Sequence, residues 1–488
     1  MTLRSRAAAS YSIRVIAFVL VALVGSATLA QDVLPGDERL SAAETRIAEL
    51  EAAVESLTAA SVDAERSQSS SASSSKADKP TENESEKKSE SKDAKKKHWY
   101  EKYTIRGYTQ VRFNQETVEL ENSAPAQHVG DRSVGDDQSF SIRRARLILQ
   151  GDINEYASLY FQPDFANTPT GSTDQTFFGQ IRDAYADLYL HTDKVHRFRV
   201  GQSKVPYGWE NMQSSSNRLP LDRAEGTNSS FRNERDLGVI YYYTPKPAQD
   251  FFKNVIDEGL KGSGNYGMFS LGVVNGQGGS QLEQNNNLHV VSRLTIPYRF
   301  CNGQYMESSI HGYVGEYVVQ SAAIRPLGIG PQTFRPAGSG DTGNANGWSD
   351  RRIGTTWVWY PQPIGFQTEW NWGRSPALNA AQTAIEDRSL FGGYAMTMAK
   401  IDSAIGLLYP FARWSYHRGG LKNERNAPYA MINEWEIGQE WQIHTAAELT
   451  ASYLITDRTN TNAGTDIGVA PYQQFRGQVL RLQLQFNY

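Results

Sequence analysis

The chain has 488 residues, a mean hydropathy of −0.54 and a formal charge of −4, and past its first thirty residues no apolar run could cross a bilayer as a helix. So acidic a sequence gives nucleic-acid binding no overall electrostatic support, and a single cysteine, Cys301, excludes an intrachain disulfide. Yet 25 Tyr, 19 Phe and 10 Trp are many for a polar chain, a conflict that a transmembrane β-barrel resolves because only every second residue faces lipid.

Residues 1–30 read as a signal peptide. Arg4, Arg6 and Arg14 precede or flank an apolar core at Val15–Gly25, and small residues lead to cleavage after Ala30. Losing those three arginines takes the formal charge from −4 to −7. Over 37–66, Leu40, Ile47 and Val54 fall at heptad position a, and Ala43, Leu50, Leu57 and Ala64 at d. This spacing predicts a short coiled coil, the alternative being a single amphipathic helix on a surface. Residues 67–98 are Ser, Lys, Glu and Asp with almost nothing apolar, which predicts a disordered linker.

From Trp99 to Tyr488 the period is two. Sixteen alternating runs occur, near 103–113, 139–151, 156–165, 180–190, 196–203, 236–243, 265–275, 288–297, 308–318, 351–360, 364–372, 391–399, 404–416, 433–443, 445–455 and 478–488. Connections after the odd-numbered runs are long and those after most even-numbered runs are short, the layout of a bacterial outer-membrane barrel. The fold class expected is therefore all-β: a transmembrane antiparallel barrel of about sixteen strands over 99–488. One connection breaks the rule, since 244–264 is long but lies on the short-turn side. Trp357, Trp359, Trp370, Trp372, Trp435 and Trp441 fall near the ends of runs, as interfacial girdles require.

If the apolar parity marks lipid, the opposite parity marks the lumen. Arg106, Arg112, Arg144, Arg146, Arg197 and Arg199 then point inward from early strands, and Glu369, Glu434, Glu436, Glu440 and Glu448 from late ones. Such sectors either set a field across a water-filled pore or pair to brace the wall. The second run keeps one parity only if a bulge lies near Arg143–Arg144.

The stretch Lys204–Arg235 is too long and too aperiodic for an ordinary connection. It sits among linked motifs in order: FSIRRARLILQGDINEYASLYFQPDF, IRDAYADL, FRVGQSKVPYGWENMQSSSNRLPLDR and NERDLGV. Together these resemble the phosphate-selective porin O/P family over about 103–488. The resemblance implies a sixteen-stranded, trimeric outer-membrane porin whose third external loop, here 204–235, folds into the pore. It further implies constriction or anion contacts at Arg143, Arg144, Asp183, Ser214, Ser215 and Arg223. Where the family's phosphate channels carry loop lysines, this chain has Asn211 and Ser216, and the loop's five basic residues against four acidic ones leave a net of +1.

The function expected is a porin for passive diffusion of small hydrophilic solutes, with a preference for anions such as phosphate. It would sit in outer-membrane lipid as a homotrimer, its coiled coil and linker in the periplasm. An envelope tether working through the coiled coil is the structural alternative. Eight scattered histidines form no Ser/His/Asp arrangement or metal-ligand spacing, so no enzyme, cofactor or metal is expected.

Overall fold

A strand with lipid on one side and water on the other must alternate, and that alternation sets the architecture. The computed structural model describes residues 99–488 apart from 122, 132, 136–137, 167–178, 326–332 and 462–471. The signal peptide, coiled coil and linker expected over 1–98 thus lie outside the described residues.

The strands are β1 (Tyr103–Glu119), β2 (Ser139–Asn154), β3 (Ala157–Asp164), β4 (Gln180–Tyr189), β5 (His196–Lys204), β6 (Arg235–Tyr243), β7 (Phe269–Val274) and β8 (His289–Arg299). Then follow β9 (Tyr305–Tyr317), β10 (Trp348–Trp359), β11 (Ile364–Leu378), β12 (Ile385–Ala399, resumed past Lys400 at Ile401–Ser403), β13 (Gly406–Gly420), β14 (Tyr429–His444), β15 (Ala447–Thr461) and β16 (Tyr472–Asn487). Each pairs antiparallel with its neighbours, and β1 pairs with β16 (Val111 opposite Leu484), so the sheet closes into a sixteen-stranded barrel. The terminal Tyr488 completes the seam, exchanging backbone hydrogen bonds with Gly107 at 2.6 and 3.0 Å.

The strands coincide in order with the sixteen alternating runs, but several are longer. β11–β16 run 15 or 16 residues, where about 9–11 suffice to cross a bilayer. β11 and β12 stay paired up to Leu378 opposite Ile385, leaving only 379–384 as connection where a gap from 373 to 390 was expected. Beyond the membrane neither face needs lipid compatibility, so the ladder continues after the alternation has ended. This also moves Trp370, Trp372 and Trp435 away from strand ends. They join Phe391 and Trp414 as one outward aromatic group, while Trp357, Trp359 and Phe366 form another nearer the short turns.

At β2 the register slips between Gln110, opposite Arg144, and Val111, opposite Ile142. Arg143 is the extra residue of a β-bulge, which lets both arginines reach the lumen while Phe140 and Leu147 stay exposed outside.

The buried apolar clusters include side chains of segments that fold inside the barrel. The first segment is the loop 205–234, with two single-turn helices, α1 (Trp209–Met212) and α2 (Glu225–Asn228). The second begins on the opposite rim as α3 (Lys246–Asp257), a 12-residue helix with Pro247 in its first turn. Ala248, Phe251, Phe252 and Val255 make its buried stripe and pack with Trp209, Leu260, Tyr305, Val358 and Tyr360. Burying two Phe, a Val and a Leu contributes roughly 6–12 kcal/mol gross, so packing fixes this helix better than its intrinsic propensity could. It ends in a Schellman motif: Leu260 N–H donates to Val255 O and Gly259 N–H to Ile256 O, both at 3.0 Å. Gly259 supplies the left-handed φ of 66° that this turn needs.

Candidate functional site

The loop 205–234 is pinned at its neck, where Val205 N–H donates to Glu234 O at 3.1 Å. From there it crosses the lumen to the far wall. The buried Glu369 carboxylate on β11 accepts from Trp209 N–H at 2.7 Å, Glu210 N–H at 3.2 Å and the Thr227 hydroxyl at 2.6 Å. One carboxylate thereby satisfies free N–H groups of α1 and anchors α2, work that a backbone without ladder partners requires. Arg413 bridges Glu210 (2.8 Å) and Glu436 (2.9 Å), and Arg352 donates to Ser229 O at 2.8 Å. α2 lies so close to β12 that a Cβ on Gly226 would meet the backbone of Gly392 and Gly393 at 2.6 Å.

The loop then swings to the β1–β2 side. Ser215 Oγ sits 2.7 Å from Tyr108 Oη and accepts from Arg146 at 2.9 Å, while Gln110 donates to Ser215 O at 3.0 Å. Asp222 meets Arg112 at 2.8 Å, Arg481 at 2.5 Å and Arg143 at 3.4 Å, and Asp131 of the first loop shares Arg112 and Arg481. Burial pushes the Asp222 carboxyl up, but Arg112 and Arg481 outweigh it and hold it well below the ordinary range. Glu225 has no such neighbour at contact distance. Burial pushes it up to about 7, its Oε1 accepts from Asn228, and its Oε2 has no hydrogen-bond partner.

Among the described residues two cavities open in the lumen, both reaching the β2–β5 side. The outer one, about 650 Å³, opens among the long loops; the inner one, about 1220 Å³, opens toward the short turns. Arg146 lines both, so it marks the waist between them. Nine Arg and Lys line the outer cavity against five Asp and Glu, a surplus of four positive charges. Most of these are spoken for: Arg146 by Asp164 (2.7 Å) and Arg223 by Glu234 (2.7 Å). Arg144 donates to Gln110 at 2.7 Å and stands 3.9 Å from Asp222. Among the described residues Arg218 makes no side-chain hydrogen bond and no ion pair. Arg232 and Arg425, which also line this cavity, likewise make none among the described residues, so the surplus field comes chiefly from Arg218, Arg232 and Arg425.

The other residues singled out in the sequence fall as follows. Arg143 and Arg144 line the outer cavity. Asp183 lines the inner cavity, gripped by Arg235 at 2.8 and 3.0 Å. Ser214 faces the inner cavity, whereas Ser215 is the docking contact to β1. Arg223 lines the outer cavity but also braces the loop internally, donating to Asn211 at 2.9 Å and Asn228 at 2.7 Å. Arg106, Arg199 and Glu448 line the inner cavity, Arg199 paired with Asp187 at 2.8 and 2.9 Å. Arg112 is sealed beneath the loop.

Of the five late-strand acids only Glu448 shares an open cavity with the inward arginines; the other four do not. Glu369, Glu436 and Glu440 contact Trp209, Arg413 and Lys261 respectively, and Glu434 pairs with Arg458 at 2.8 Å. The loop lies on this acidic wall. Asn211 is buried and serves the loop's own interior, donating to Tyr207 O and Ser230 Oγ. Sequence reading passed over Asp222, Asp131 and Arg218 as site residues, because polar loop residues without a period carry no positional signal. Among the described residues no group of three or more His, Cys, Asp or Glu could hold a metal ion.

A family model for phosphate-selective porin O and P matches residues 119–488. Similar solved structures include OmpT of Vibrio cholerae (10% identity, covering 79% of this chain and 97% of that chain, TM-score 0.46). Others are the outer-membrane channel DcaP of Acinetobacter baumannii (12%, 79% and 97%, TM-score 0.47) and an anion-selective porin from Comamonas acidovorans (9%, 79% and 99%, TM-score 0.45). No curated protein matches the chain.

Proposed function

Since the chain belongs to the phosphate-selective porin O and P family, it is an outer-membrane channel, and we propose that it passes small hydrophilic solutes by diffusion with a preference for anions such as phosphate. The observation that carries the preference is the positive surplus of the outer cavity, with Arg218, Arg232 and Arg425 left without a counter-ion among the described residues above a waist at Arg146. Low-dielectric walls focus such a field and raise the local concentration of anions. Recording in planar bilayers tests it: conductance steps are expected, with a reversal potential on the anion side in a KCl gradient and phosphate reducing the chloride current. Cation preference would sink the anion reading. Arg218→Ala is the cleaner probe than Arg223→Ala, because Arg223 also holds the loop together.

The assembly proposed is a homotrimer, supported by the sequence resemblance. Sedimentation of the detergent-solubilised protein should give three copies per particle. The heptads at 40–64 and the linker at 67–98 support a further role as envelope tether. Deletion of 31–97 should then weaken trimer stability or envelope integrity, and unchanged values in both would remove the tether.

A further inference from the structure

The connection 244–264 sits on the rim where the other turns are short, yet it is folded, with the apolar face of α3 and residues 260–263 buried. On β10 the lumen-facing Val358, and Tyr360 just beyond the strand, are apolar and fully buried because α3 covers them. After α3 the chain crosses the mouth. Tyr305 donates to Glu258 Oε1 at 2.9 Å, Lys400 to Glu258 O at 2.6 Å and Tyr409 to Gly259 O at 2.6 Å. Lys261, in the left-handed region at φ 63°, pairs with Glu440 of β14 and lies 4.6 Å from the Tyr409 ring.

The same stretch grips the tip of the long loop. Gln213 donates to Lys261 O at 2.7 Å and Asn217 to Gly262 O at 2.9 Å. Ser263, Gly264, Asn265 and Tyr266 then line the inner cavity on its way back to β7. These contacts run from β9 across to β14, so the segment covers the side of the inner mouth opposite the arginine-bearing strands.

We propose that 244–264 is an inner strap, a second constriction element that fixes the tip of the loop from below and confines solutes to the basic β1–β5 wall. Its Lys261 masks Glu440 and so keeps a negative charge off the permeation route. Selectivity then depends on both segments, each holding the other in place. The proposal rests on the channel reading.

The test records the wild-type channel beside two variants. In the first, Asn-Gly replaces 245–267, joining β6 and β7 by a hairpin turn. A several-fold higher conductance is expected, with the reversal potential shifted toward cations as Glu440 is unmasked. In the second, Gln213→Ala with Asn217→Ala cuts the two loop-to-strap bonds together with one bond inside the loop, from Gln213 to Asn217 O. More frequent partial closures are expected there, with conductance changed less than twofold. A hairpin variant that folds but keeps wild-type conductance and reversal potential overturns the proposal. Should that variant not fold, wild-type gating in the double variant overturns it instead. Ser263→Cys in a Cys301→Ser background, treated with sulfonatoethyl methanethiosulfonate, should lose current, and an unaltered current counts against the strap. Absence of steps in the wild type would remove the channel reading itself; wild-type steps with unaltered variants would remove the strap alone.

Discussion

Asp222 gathers three arginines within 3.4 Å, and among the described residues it is the only loop residue to do so on the β1–β16 seam. With Asp131 it neutralises Arg112 and Arg481, which would otherwise be buried facing each other. Removing one member of a buried charge network typically costs about 3–5 kcal/mol, because the remaining charges lose their compensation. Asp222→Asn should therefore lower the thermal midpoint of the barrel and raise open-channel noise. Glu225 offers a different handle. Its raised value means that the folded state holds a proton which the unfolded chain has already lost above about pH 4.3. The sign follows: stability falls as pH rises from there to about 7, where the folded carboxyl itself ionises. Ionisation adds a negative charge to the outer cavity, so anion current should fall between pH 6 and 8. Glu225→Gln should abolish that step and be the more stable form at pH 8, as current–voltage curves and thermal melts across this range would show.

Elements differ in how far pattern determines them. Strand existence and order follow from the two-residue period, because lipid and lumen impose opposite demands on adjacent residues. Strand ends do not, since β11 and β12 extend through Leu378 and Ile385 where no lipid enforces alternation. The loop 205–234 was visible as an anomaly of length, but its docking rests on single side chains such as Glu369. Glu369→Ala removes the acceptor for two backbone N–H groups and Thr227, leaving buried donors unsatisfied at about 1–3 kcal/mol each. The loop should then detach from β11, giving a larger and noisier channel. Single-channel traces read this directly, and a variant trace as quiet as the wild type's would show that the neck and Asp222 suffice to hold the loop.

At the scale of the molecule, the barrel is closed by the described residues alone. All strand pairings among the described residues lie between Tyr103 and Asn487, and the seam is made by β1, β16 and Tyr488. Deleting 31–97 should consequently leave single-channel conductance unchanged, whatever it does to assembly; altered conductance would tie that region to the pore. The lumen's charge is likewise a property of the whole. Parity assigns the arginines and glutamates to the inner face, but the folded loop and strap decide which of them meet a cavity.

The barrel, its strand order and the bulge at Arg143 are legible in the sequence because each follows from a local rule about which face a residue presents, while the inserted loop is marked there only by its length and by the family resemblance. The open side of the lumen, the burial of Glu369 and Glu436, and the waist at Arg146 were decided by tertiary structure alone. Those outcomes depend on where two aperiodic segments come to rest. That choice is made by packing and ion pairs between residues far apart in the chain, such as Glu210 with Arg413 and Lys261 with Glu440.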